Sequence, residues 1–322
     1  MSARRKIIVA AAQMGPVQRN HTRKQTIDRM VVLLNQAADR GADIAVYPEA
    51  ILTPFFPHWH IEDEQELLGY FEDSMPNGGV QPLFDAAKDR GVGFSLGYAE
   101  LTEDGRRFNT QIMVSGEGEI IGKYRKIHLP GYSDPRPHEP VQNLEKLYFE
   151  VGDLGFPVWE AFGGRVGMSI CNDRRWPESY RVMGLQGVEL ILIGYNTLMH
   201  VPAMAEVDHL QSFHNLLSMQ SNAYFNGTWV VAAGRAGVEE GISQLGQSAI
   251  IAPSGEVVAQ AYTDGDEVIT AEVDFDACNI FKKYMFNMRE HRRPEHYGLI
   301  SAPVSETWDA GELLDTQPVS GR

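Results

Sequence analysis

The feature that most limits how this chain can fold is an exchange, begun near its start, between short apolar runs and stretches with helical spacing. Residues 7–13 are a run of β-branched residues and alanines, which reads as a buried strand. Residues 26–40 carry their apolar positions at helical intervals, and Gly41 stands where such a helix would stop. Residues 43–47 are strand-like again. A strand, a helix and a strand in that order predict a βαβ unit, with functional groups gathered at the carboxyl ends of the strands. Glu49 sits at such an end.

The alternation continues. After an aromatic loop holding Phe55, Phe56 and Trp59, residues 80–90 read as a helix closed by Gly91, and 92–98 as a strand. Residues 108–115 and 119–124 flank Gly116-Glu117-Gly118, which predicts a hairpin with Lys126 just past its second arm. Residues 165–170 are strand-like, a sharp connection follows from Cys171 to Trp176, and Pro177 fits the first position of a helix ending near Leu185. A strand over 188–195, a helix over 205–224 and a strand over 228–234 come next. Residues 247–253 and 256–262, around Ser254-Gly255, echo the first hairpin. That echo predicts one α/β domain with pseudo-symmetric halves over residues 1–303. The polar segment 304–322 reads as an arm or tail.

A chain of 322 residues with 43% hydrophobic and 22% charged side chains matches a globular enzyme rather than a disordered or membrane protein. Its formal charge of -15 and lack of a basic run argue against nucleic acid as a partner. The apolar stretch after the basic start spans only 7–12, too short for a secretory or membrane segment, so a cytosolic protein that does not engage a membrane is expected. With two cysteines, Cys171 and Cys278, a disulfide framework is not expected.

Cys171 ends an apolar strand and precedes a helix, where amide dipoles can lower a thiol pKa and donate to an oxyanion, so it is a candidate nucleophile. Cys278 lacks such company and reads as a core thiol. His58, His60, His128, His209 and His214 invite a metal reading, but the carboxylates and thiols lack ligand spacing; no metal or cofactor is expected.

Three segments carry a resemblance: Tyr47-Pro48-Glu49, then Tyr124 to Leu129, then Ile170-Cys171-Asn172-Asp173. In this order they resemble the three motifs of the nitrilase superfamily, along nearly the whole chain. Longer stretches, Phe55 to His60, Gly122 to Gly131, Cys171 to Glu178 and Gly194 to Thr197, look like the N-carbamoyl-D-amino acid amidohydrolases, the D-carbamoylases. The resemblance implies a four-layer α-β-β-α sandwich and a homo-oligomer, dimeric or tetrameric. It makes Glu49 the general base, Lys126 the transition-state stabiliser and Cys171 the nucleophile, with Glu145 orienting Lys126. The chemistry agrees, because a thiol attacking an unreactive carbonyl needs a base, and the oxygen that gains charge needs donors such as Lys126 and the Asn172 amide.

The same resemblance implies a small-molecule substrate, an N-carbamoyl amino acid, split into D-amino acid, carbon dioxide and ammonia. Arg174 and Arg175 suit its carboxylate, since a planar guanidinium grips a carboxylate with two hydrogen bonds. Asn196 and Thr197 resemble further substrate contacts, and His128 is expected to hydrogen-bond around the pocket. The chain departs from its relatives at Asn143, where they often carry histidine, and at Leu198, Met199 and Met204, where they are more polar or proline-rich. A β-ureidopropionase, an aliphatic amidase and a catalytically silent carboxylate binder are the rival readings.

Overall fold

The computed structural model describes residues 5–139 and 141–302. Strand β1 (Lys6–Gln13) shows why the fold is layered. Its side chains alternate: Val9 and Ala11 join an apolar cluster shared with a second sheet, while Ala10 and Ala12 join a cluster lined by helices. All four are buried, so both faces of the sheet are covered. Strand β2 (Ile44–Val46) repeats the pattern, with Ile44 and Val46 toward the other sheet and Ala45 toward the helices.

Strands β3 (Gly93–Leu101), β4 (Arg107–Val114) and β5 (Ile120–Arg125) extend this first sheet. The second sheet takes β6 (Val158–Ala161), β7 (Gly164–Ile170), β8 (Leu190–Tyr195) and β9 (Trp229–Gly234). A separate hairpin of β10 (Ala236–Glu239) and β11 (Ile242–Leu245) follows. Strands β12 (Ala249–Ile251) and β13 (Val257–Gln260) complete the second sheet, and β14 (Glu267–Asp274) returns to the first beside β1.

The two sheets share one pattern. The orders are β14-β1-β2-β3-β4-β5 and β6-β7-β8-β9-β12-β13. In each, an antiparallel edge strand precedes three parallel strands, and an antiparallel pair closes the sheet. The echoing hairpins of the sequence, β4–β5 and β12–β13, occupy matching places, as pseudo-symmetric halves require.

Helix α1 (Arg23–Asp39) begins before the expected Thr26, because Thr22 forms a capping box with Gln25, a start signal passed over in the sequence. A short helix α2 (Glu64–Leu68) lies in the next long connection. Helix α3 (Gln81–Arg90) ends at Gly91 in the left-handed conformation, as predicted. A single turn, α4 (Glu145–Tyr148), carries Glu145. Residues of α1 and α3 pack on the first sheet, and residues of α5 (Pro177–Leu185) and α6 (Gln211–Asn226) on the second, giving the α-β-β-α layers. The helix expected over 205–224 is divided: a 3-10 run, Pro202–Leu210, is kinked at Met204 and precedes α6. Asp208 holds the start of that run by accepting from the Val201 amide and pairing with His200.

The sandwich lies within the described residues up to Phe286; the described residues from Asn287 to Ala302 belong to a separate unit built of short turns such as Met288–His291 and Gly298–Ser301. The arm or tail expected over 304–322 lies outside the described residues. No described helix is long and apolar enough to cross a membrane.

Candidate active site

Cys171 follows directly on β7 and opens the 3-10 turn Cys171–Arg175, with φ at 45°. A left-handed backbone is costly for a residue with a side chain, and such strain persists where surrounding contacts impose it. Asp173 supplies them. Its buried carboxylate accepts from the Ile170 amide, the Tyr124 hydroxyl and the His128 amide, and pairs with the His128 ring at 2.8 Å. Asp173 closes the Ile170–Asp173 motif, and its role shows only in these contacts. The Cys171 thiol donates to the Asn196 carbonyl at 3.0 Å, and burial, then Glu49, push its pKa up to about 11 against the pull of Lys126 and Arg174. The resting group is a thiol, so it needs a base.

Glu49 lies beyond β2, on a segment clamped between the sheets. A Cβ on Gly97 of β3 would come within 2.9 Å of the Glu49 Cα, and one on Gly194 of β8 within 2.8 Å of the Glu49 amide nitrogen. Only glycine admits so close a backbone approach. The fully buried carboxylate accepts from Lys126 Nζ at 2.7 Å and Asn109 Nδ2 at 2.8 Å through Oε1, and from the Asn196 amide at 3.1 Å through Oε2. Asn109, on β4, escaped the sequence reading; its one signal is an amide inside an apolar strand run.

Lys126, just past β5, is also wholly buried and donates to Glu145 Oε2 at 2.5 Å. Burial alone would lower its pKa, but Glu145 and Glu49 together hold it above the ordinary value, so the ammonium stays charged. Two carboxylates thus share one cation. Burial, opposed by Lys126 and reinforced by Glu49, pushes Glu145 up to about 7. Asn143, the departure noted above, brackets Glu145: its Oδ1 accepts from the Glu145 amide at 3.1 Å and its Nδ2 donates to the carboxylate at 3.4 Å.

A cavity of about 780 Å³ opens over this group, lined by Cys171, Glu145, Asn143, Asn196, Thr197 and Arg175 among others. The predicted contacts divide here. Arg175 is exposed on its wall, with a 3.5 Å contact to Asn172 Oδ1. Arg174 is fully buried and committed elsewhere. It donates to Asn215 Oδ1, Thr197 Oγ1 and the Cys171 carbonyl at 2.6–3.1 Å and lies over the Tyr195 ring. Of the two arginines expected to meet a carboxylate, Arg174 braces the turn, and Arg175 is the one on the cavity wall. His128 and the Asn172 side chain line a separate cavity of about 310 Å³, with His128 stacked on Trp176 at 4.9 Å and bonded to Asp173. His58 does line the larger cavity. Burial and the nearby Arg235 push its pKa down to about 3, so its imidazole is neutral. Among the described residues, no three His, Cys, Asp or Glu side chains are grouped to hold a metal ion.

Comparison with solved structures places the fold in a class. A carbon-nitrogen hydrolase from Helicobacter pylori superposes with a TM-score of 0.77 at 23% identity, covering 93% of this chain and 99% of that one. The carbon-nitrogen hydrolase family model matches residues 8–283, and the chain belongs to that family, within the nitrilase superfamily. It is similar to a nitrilase of Pyrococcus abyssi, 31% identical over 90% of this chain and 98% of the relative. It is also similar to an N-carbamoylputrescine amidase of Solanum lycopersicum, 29% identical over 92% of this chain and 95% of the relative.

Proposed function

We propose that this carbon-nitrogen hydrolase splits N-carbamoyl-D-amino acids into the D-amino acid, carbon dioxide and ammonia. Glu49 takes the Cys171 proton as Sγ bonds to the ureido carbon, and the carbonyl oxygen gains a charge stabilised by Lys126 and the Asn172 amide. The intermediate collapses as one carbon–nitrogen bond breaks and the proton passes to the departing nitrogen. Water then attacks the carbonyl carbon bound to sulfur, giving its proton to Glu49, and the carbon–sulfur bond breaks to restore the thiol. The released carbamic acid holds the second carbon–nitrogen bond, which breaks as it decomposes to carbon dioxide and the second amine, so that one water is consumed in all. Glu145 keeps Lys126 charged and placed throughout.

The observation that carries the carbamoyl amino acid reading is Arg175, which lines the cavity that holds Cys171 and whose guanidinium, its pKa pushed down to about 10 by burial and then by Arg174, stays a cation at neutral pH. A substrate carboxylate suits that position. The Asn196 amide oxygen, buried with no hydrogen-bond partner among the described residues, offers an acceptor to a ureido N–H. The relative named for N-carbamoylputrescine lends support to a carbamoyl group. The D hand follows from the resemblance of the longer motifs. Phe55, Val141, Leu198, Val201, Met204 and Leu217 give the cavity apolar walls, which favours a bulky apolar substrate side chain.

Ammonia release from D- and L-carbamoyl amino acids, carbamoyl-β-alanine, an N-alkylurea and a simple amide tests the proposal. Preference for the D-carbamoyl amino acid supports it; equal hydrolysis of the alkylurea replaces it with a general amidase. We also propose a homo-oligomer, because α5 and α6 leave Val182, Leu185, Phe213, Leu217 and Phe225 exposed. A monomeric mass in sedimentation would overturn that part.

A further inference from the structure

A second buried charged group lies on the far side of Glu49. Arg235 follows β9 of the second sheet and is wholly inaccessible, yet its guanidinium reaches the loop that leaves β2 of the first. Its Nη2 donates to the carbonyls of Ala50 at 2.9 Å, Thr53 at 3.0 Å and Glu49 at 3.4 Å. Its Nη1 pairs with Glu239 on β10. The Glu239 carboxylate, also buried, accepts from the Phe55 amide at 2.7 Å and the Val17 amide at 2.8 Å. Arg235 thus holds the loop by its carbonyls and Glu239 by an amide, across the turn where Ala50 has φ of 44°.

The β10–β11 hairpin that carries Glu239 also fixes the opposite wall of the cavity. The Leu245 amide donates to the Thr197 carbonyl at 2.8 Å, and the Met199 amide to the Ser243 carbonyl at 3.0 Å. One hairpin outside the two sheets therefore ties together the segment bearing Glu49 and the segment bearing Asn196 and Thr197. A carboxylate that must meet both a thiol proton and a water tolerates little displacement.

We propose that the Arg235–Glu239 pair positions the Glu49 carboxylate for proton transfer, acting through the backbone of residues 49–55 and touching no substrate. The inference rests on Glu49 being the base. The pair itself is only four positions apart in sequence, but its purpose shows only in the loop it holds, whose residues lie more than 180 positions away.

The test uses Arg235→Lys and Glu239→Gln, each with Glu49 intact and with Glu49→Gln. The readouts are kcat and KM on a carbamoyl amino acid and the rate at which iodoacetamide alkylates Cys171 near pH 7.5, followed by peptide mass. With Glu49 intact, kcat and the alkylation rate are expected to fall about ten- to a hundredfold with KM nearly unchanged, Arg235→Lys losing less. With Glu49→Gln, the same changes are expected to slow alkylation no further, because they act through a group already removed. Equal slowing in both backgrounds, unchanged kcat, or a failure of both variants to fold overturns the positioning role. A Glu49→Gln protein that alkylates at the wild-type rate instead overturns the base itself, a separate outcome.

Discussion

Two clusters of buried charge meet at Glu49 and are built on opposite plans. Around Lys126, two carboxylates share one ammonium, and burial holds Glu145 above the ordinary carboxylate range. Around Arg235, one guanidinium faces one carboxylate, and backbone carbonyls and amides engage both ends. The first cluster sets two acids against one cation. The second is neutral overall and anchored on its backbone. Buried ions cost free energy unless paired and hydrogen-bonded, so the balanced cluster suits a brace and the unbalanced one suits proton transfer.

The sharpest way to break this contrast is to disarm the unbalanced cluster. Cys171→Ala is expected to abolish ammonia release, and Glu49→Gln or Lys126→Ala to cost on the order of a hundredfold or more in kcat. A wild-type rate for any of them removes that residue from the chemistry. Next is the brace. Glu239→Ala leaves Arg235 buried without its counter-charge and is expected to lower unfolding free energy by about 3–5 kcal/mol, read by denaturant titration. A loss below about 1 kcal/mol, the scale of an exposed pair, would end the distinction between the clusters.

The neighbouring arginines extend the comparison. Arg175→Leu is expected to lower kcat/KM for a carbamoyl amino acid about ten- to a hundredfold, the scale of a hydrogen bond to a charged group, and to leave an N-alkylurea unaffected. Arg174→Leu, which unbraces the turn, is expected to slow both substrates alike. Identical substrate dependence in the two variants would erase the separation. A smaller effect concerns pH. The folded chain holds the Glu145 proton until about pH 7, whereas the unfolded chain releases it near 4.5. Glu145 therefore makes stability decline as pH rises between those values. Melting curves of Glu145→Gln are expected to show a shallower decline over that window; an unchanged slope contradicts the upward shift of Glu145. Smallest of all, Cys278→Ala is expected to leave activity unchanged, its thiol lying in the second sheet's core.

What the sequence disclosed was whatever is local. The elbow at Cys171 was readable because an apolar strand, a polar turn and Pro177 follow one another directly. The hairpin echo was readable for the same reason, and it marked the repeat of the two sheets. Strand β14 was missed because charged Glu267, Glu272 and Asp274 interrupt its apolar residues; it is an edge strand defined by pairing with β1, hundreds of positions earlier. Arg174 and Arg175 look alike in sequence, yet a tight turn sends one inside and leaves the other in the cavity. Asn109 meets Glu49 from another strand, and the i,i+4 spacing of Arg235 and Glu239 does not disclose the loop of residues 49–55 that the pair holds.

The two glycines that clamp Glu49 have a consequence for when the protein becomes reactive. Gly97 and Gly194 belong to different sheets, and the Glu49 backbone is gripped only when both have come together. A newly made chain with one sheet formed would leave the Glu49 carboxylate unplaced. Ammonia release is then a chemical stopwatch for the docking of the two halves: its onset during refolding marks the moment the sandwich closes, without any optical probe.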